Sequence, residues 1–215
     1  MSNLVLNFSP SATYTLLINH SLPDTTILTS EESFARIFHD VERLALPIYH
    51  AVAHAILSFA RSDLPATLHH TRRVAATLRP LLSSYYDRVH DARIARRAWL
   101  SHVQGFYAWG VGEGEEEKTE NGEWVKFDGL SGNQVLLFMV LDAFLGLEPY
   151  LDEENRRRNV PLRQRVFCDA VARHAFRGKL GVEGVEGQAR AEMGEIVKRL
   201  RVRVPLFFSG YLIVC

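Results

Sequence analysis

Ser131-Gly132-Asn133-Gln134 is a turn of small and polar residues leading into Val135–Leu147, which reads Val-Leu-Leu-Phe-Met-Val-Leu-Asp-Ala-Phe-Leu-Gly-Leu. A helix this apolar must be buried, yet Asp142 stands in its middle. An isolated ionised carboxylate there costs several kcal/mol unless it is hydrogen-bonded or neutralised, so Asp142 is expected to have a polar partner. Small residues ahead of a buried helix let backbone approach a ligand closely, and the helix start supplies unpaired N–H groups. Aromatic residues gather on both sides of this turn. Trp99, Phe106, Tyr107 and Trp109 precede it, and Trp124 and Phe127 lie just before it. Such a cluster is either core or the wall of a pocket for a flat ligand.

Nine histidines offer further chemistry. His50 and His54 stand four apart on a helical stretch, which puts both rings on one face. They are structural, or two ligands of a metal whose third is not placed nearby in sequence. His69 and His70 are adjacent, and adjacent helical residues point apart. His90-Asp91 is a helix-end cap or a base with its orienting carboxylate. No nucleophile constellation carries a local signature, and no glycine-rich phosphate loop follows a strand. Arginines cluster at Arg93, Arg96 and Arg97 and again at Arg156 to Arg158. They form solvated helix faces or bind an anion.

Composition narrows the class. The chain has 215 residues, 47% of them hydrophobic and 23% charged, a globular and not a disordered balance. The formal net charge is zero, so nothing global points to nucleic acid. Cys168 and Cys215 are too few for a disulfide framework or a thiolate-rich metal site. Cys168 sits among apolar residues and reads as a small core hydrophobe. Residues 1–20 lack a signal-peptide pattern, and Asp142 interrupts the best candidate for a membrane span. A cytoplasmic protein is expected.

These residues must be positioned by helices. Residues 1–30 read as irregular, and 31–215 as a single all-α domain. Thr29 or Ser30, followed by Glu31 and Glu32, predicts a capped helix start. Apolar periodicity runs from Phe34 to about Phe59, with Pro47 expected to kink or split the element. A second helix is predicted from Pro65 to about Val89, with Leu68, Val74, Leu78, Leu81 and Leu82 on one side, and a third from Ile94 to Trp109. Further helices fit 132–147, about 160–177 and 188–203, with a glycine-rich break at 178–187. The loop at 110–130 is polar, rich in glycine and glutamate, and reads as a lid or a disordered insertion.

The turn and helix at 131–147 resemble the signature segment of the indoleamine 2,3-dioxygenase family, a Ser-Ala-Gly-Gln turn leading into a helix that ends in Asp-x-x-Leu-Gly. Ser131 and Gln134 match the turn, and Asp142, Leu145 and Gly146 match the helix end. Arg157-Arg158, Pro161 and Arg165-Val166-Phe167-Cys168 resemble the family's Arg-Arg-Tyr-x-Pro and Phe-Leu-Cys stretches. Val89-His90-Asp91 and Trp109 align in order, and Leu200-Arg201 and Tyr211-Leu212 fit the last helix. The resemblance covers about residues 30–214, the large helical domain. The small amino-terminal domain of typical members is expected to be missing.

The resemblance implies a haem-dependent enzyme that inserts dioxygen into the indole C2–C3 bond of tryptophan or a related indole. It implies a pocket for a small aromatic, indole-type ligand between the 94–109 helix, the Ser131-Gly132 turn and the last helix, lined by Trp99, Val103 and Val204. Three positions depart from the family, the first being Pro205, which removes a helix N–H and is expected to disturb the last helix. Val204 occupies the place of the proximal haem histidine, and no histidine follows His174. Val103 occupies the place of the arginine near the substrate carboxylate. No metal ligand and no catalytic residue is therefore assignable. The readings that follow are a divergent dioxygenase, a haem-free paralogue that binds a small molecule or a helical partner, and a chain whose 201–215 segment is not the true last helix.

Overall fold

In a computed structural model of the protein, the described residues are 8–11, 13–15, 24–89, 92–103, 135–149 and 151–213. The expected 110–130 loop, the Ser131-Gly132 turn and the His90-Asp91 pair lie outside them. Among the described residues the chain is all-α, with six helices and no strand. One isolated antiparallel bridge joins Phe8 to Tyr14.

Helix α1, Thr25–Ala60, starts four residues earlier than Thr29, because Asp24 caps it by accepting the Thr26 N–H at 2.8 Å. Ser30, an alternative start by sequence, is instead completely buried inside the helix. Its hydroxyl donates to Thr26 O at 2.7 Å and accepts the Ala95 N–H at 3.1 Å, docking the 93–95 segment onto α1. Pro47 does not split the element, which continues as one helix to Ala60. By length and mean hydropathy, 1.2, α1 passes as a candidate membrane span. Its buried Phe34, Phe38, Val41, Ile48 and Val52 belong to the common hydrophobic core.

Ser62 takes a left-handed φ of 59° and turns the chain. Asp63 then accepts the Ala66 N–H at 3.0 Å, capping α2, Leu64–Val89. So short a connection folds α1 and α2 into a helical hairpin. The stripe expected on α2 is the buried one, with Leu68, Val74, Leu78, Leu81 and Leu82 all in the core. Arg88 of α2 pairs with the buried Asp40 of α1 at 2.8 Å, and His39 Nδ1 lies 3.1 Å from the same carboxylate. The expected 94–109 helix appears as a single α turn, Arg96–Ala98, passing into a π-helical turn, Trp99–Val103, beyond which the described residues stop.

Helix α3, Leu136–Leu145, packs on α1 on one side and on α5, Leu162–Arg173, on the other. A short helix α4, Glu153–Asn159, lies between them in sequence and was not foreseen. Its first turn carries Glu153 and Glu154, but seven residues are too few for a periodicity to register. Helix α6, Gly184–Ile213, packs on α2 and runs unbroken through Pro205, longer than the expected 188–203 at both ends. The layers therefore succeed one another as α5, α3, α1, α2, α6. Phe176, at zero exposure, locks the α1–α3 corner by stacking on Phe59 at 4.5 Å and meeting Phe144 edge-on at 5.6 Å. Burying each large apolar side chain of this kind contributes about 1.5–3 kcal/mol.

Two glycines of α6 separate packing from propensity. A Cβ on Gly187 would lie 2.4 Å from the Val182 carbonyl oxygen, whereas a Cβ on Gly194 meets nothing within 4 Å. Gly187→Ala is expected to destabilise the protein by about 2 kcal/mol or more, and Gly194→Ala to stabilise it by about 0.5–1 kcal/mol. Urea unfolding of the two variants checks this. Equal effects of the same sign would show that the Val182 approach does not constrain the chain.

Candidate functional site

The site is built around helix α3, whose own sequence cannot cap it. Val135, at the N-cap position, makes no side-chain cap, so its first N–H groups need an acceptor from elsewhere. Glu42 of α1 supplies it, with Oε1 accepting the Leu136 N–H at 2.8 Å and a further bond from the Leu137 N–H. Tyr49, two turns along the same face of α1, donates its hydroxyl to Glu42 Oε2 at 2.5 Å. Burial pushes the Glu42 carboxyl above its usual value, against the opposing pull of these three donors. Burial, and then the Glu42 charge, raise the Tyr49 phenol. Neither residue stood out in sequence. The signal was an acid and a tyrosine seven apart on the apolar face of a helix.

The other end of α3 closes on Gly146, left-handed at φ 65°. Leu147 N–H bonds Asp142 O at 2.9 Å and Gly146 N–H bonds Ala143 O at 3.3 Å, the paired pattern of a Schellman turn. The Asp-x-x-Leu-Gly ending thus has a backbone explanation at its glycine.

Asp142 itself departs from expectation. Its carboxylate makes no hydrogen bond or ion pair among the described residues, and burial alone raises its pKa from 3.8 to about 6. The group is half-buried rather than enclosed, so partial solvent contact and a raised pKa take the place of the expected partner. It lies on the wall of a cavity of about 170 Å³ between α3, α5 and the chain leading to α4. Apolar walls come from Met139, Ala143, Leu147, Pro149, Leu151 and Ala172. Arg156, Cys168 and Asp169 complete it.

The Arg156 guanidinium is held by Asp169 and, at 3.5 Å, by Glu153, and it donates to the Arg165 carbonyl at 3.1 Å. Arg156 therefore clamps α4 to α5 and is not simply a solvated helix face. Burial pushes the Cys168 thiol up to about 11, so it is an unreactive core thiol as its sequence context implied.

The candidate pocket residues fare differently. Trp99 and Val103 are both buried in the π-helical turn against α1, with Trp99 edge-on to Phe34 at 6.2 Å. Ser131 and Gly132 lie outside the described residues, and Val204 is placed only as backbone within α6. His54 stacks on His70 of α2 at 5.1 Å, a cross-helix pair that the His50–His54 spacing did not suggest. Burial, then the neighbouring His54, lowers the His70 pKa. Among the described residues no group of three or more His, Cys, Asp or Glu is placed to hold a metal ion. Comparison with protein-family models, curated proteins and solved structures finds no match to this chain.

Two substitutions probe the site. The folded protein holds the Asp142 proton more tightly than the unfolded chain, so stability falls as pH rises through the window from about 4 to about 6. Asp142→Asn removes that component and is expected to gain about 1–3 kcal/mol at pH 8, with little change below about pH 4. The smaller Glu42 component, of the same sign, remains. Urea midpoints across pH measure both, and a variant less stable at pH 8 would reveal a polar partner for Asp142. Glu42→Ala strands two helix N–H groups and the Tyr49 hydroxyl. It is expected to cost about 2–4 kcal/mol, against about 1 kcal/mol for Tyr49→Phe, in the same unfolding measurement.

Proposed function

We propose that this chain is a divergent relative of the large helical domain of indoleamine 2,3-dioxygenase that acts by binding a small molecule and does not perform the haem reaction. The observation that carries the binding half is the cavity on α3, where a costly carboxylate with no partner among the described residues faces a largely apolar-walled space. A desolvated acid in a cleft marks a candidate functional site. The kinship half is supported by the ordered motifs, Ser131 with Gln134, Asp142 to Gly146, and Arg157 to Cys168, and by the all-α architecture.

The residues present do not fit haem. Axial ligation needs a lone pair, and the valine side chain at the family's ligand position, Val204, has none. Among the described histidines none lies on α6. Valine at 103 likewise removes the bidentate, charged contact a substrate carboxylate would need. Neither valine offers what haem chemistry on a tryptophan-like substrate requires, and the proposed ligand is a small organic molecule.

Haem titration followed by a tryptophan turnover assay tests this reading. No stoichiometric Soret band of the histidine-ligated type and no N-formylkynurenine are expected. Val204→His is expected to restore only partial haem binding, because Pro205 follows it and Val103 is unchanged. A stoichiometric histidine-type spectrum with product formation in the unmodified chain would overturn the proposal.

A further inference from the structure

Resting on the reading that the α3 cavity is a binding site, we propose that its ligand is a small organic cation, an ammonium group on a compact apolar body. The argument starts with charge. Asp142 faces the cavity with no cation of its own among the described residues. Among the described residues the cationic side chain lining it is Arg156, already shared between Asp169 and Glu153. From α1, the Glu42 carboxyl, which does not line the cavity, acts on the Cys168 thiol in the same sense as Asp142, and the Tyr49 hydroxyl is attached to it. Arg177 lies at the same end of α3 as the cavity and is engaged there, donating to the Leu145 carbonyl at 3.4 Å. Among the described residues the charged groups lining the cavity are two carboxylates and one guanidinium, and Asp142 is the carboxylate that the guanidinium does not hold.

Size and lining set the rest. About 170 Å³ falls below the roughly 300–1,000 Å³ of sites for drug-sized molecules, so the occupant is of fragment size. Its body meets Met139, Leu147, Pro149 and Leu151 while its ammonium group reaches Asp142. Such an ion pair forms where the carboxylate is already half desolvated, so less hydration is lost on binding than from a fully solvated acid. An anion would face Asp142 directly, and a neutral molecule would leave the carboxylate uncompensated.

Benzylammonium, benzyl alcohol and benzoate share one shape and differ in charge. The full chain with isotope-labelled methionine methyls reports occupancy at Met139, which lines the cavity. Met193, fully buried on α6, is the internal control. Benzylammonium is expected to shift the Met139 signal and leave Met193 unmoved. Benzyl alcohol should bind about tenfold or more weakly, the loss of one charge-assisted hydrogen bond, and benzoate not at all.

Binding should fall as pH drops through about 6, where Asp142 takes up its proton. It should weaken by a similar factor in Asp142→Asn, whose fold is checked by circular dichroism. Leu151→Trp fills the cavity without touching the acid and should abolish binding of every probe. Equal affinity for amine and alcohol, or an unchanged Asp142→Asn, would overturn the cation assignment and leave the cavity as a binding site. If none of the three probes moves Met139, the binding-site reading falls with it.

Discussion

The interaction on which the arrangement depends is the carboxylate of Glu42 capping a helix that cannot cap itself. An α-helix leaves its first N–H groups without partners, and α3 begins at Val135 with no side chain able to accept them. Val135 and Leu137 at its start are buried. A charge from α1, reaching 94 residues along the chain to the Leu136 N–H, meets the need. The helix dipole and the Tyr49 hydroxyl then make the buried charge tolerable. This one contact fixes the start of α3 against α1, and with it the direction in which Asp142 and the cavity face.

Helix α1 repeats the same device along its length. Buried polar groups on it are tied to other segments, Glu31 to the Tyr14 hydroxyl at 3.0 Å, Ser30 to Ala95 and Asp40 to Arg88. Hydrophobic burial is not directional, so it holds the layers together without choosing their register. Hydrogen bonds to buried acceptors do choose it, because a slip would strand a charge or an N–H in the interior. The long apolar helix is therefore both the centre of the core and the frame that orients its neighbours. Asp142 is the exception: its carboxylate has no such tie among the described residues.

Much of the fold was legible from periodicity. The buried stripe of α2, the burial of 136–145 and the core placement of Cys168 follow from apolar spacing and content. Helix boundaries were less so. Asp24 rather than Thr29 or Ser30 starts α1, because several polar residues in that stretch can cap and only packing selects among them. Proline misleads in the same way. Pro47 and Pro205 both sit inside continuous helices, and at Pro47 the core contacts of α1 outweigh a local cost of roughly 3 kcal/mol.

The candidate site divides along the same line. Sequence alone determined that the 136–145 stretch must be buried, that one acid interrupts it, and that valine stands at 103 and 204. Those are properties of side-chain type, and no folding can give a valine a lone pair or a charge. Only the tertiary structure decided that Asp142 has no described partner, that Arg156 is held by Asp169 and Glu153, and that Glu42 caps a helix far away in sequence. The reason is that charge compensation is a matter of distance across packed elements. Residues 42, 136, 142, 156 and 169 come together through the stacking of α1, α3, α4 and α5, and no spacing along the chain encodes that neighbourhood.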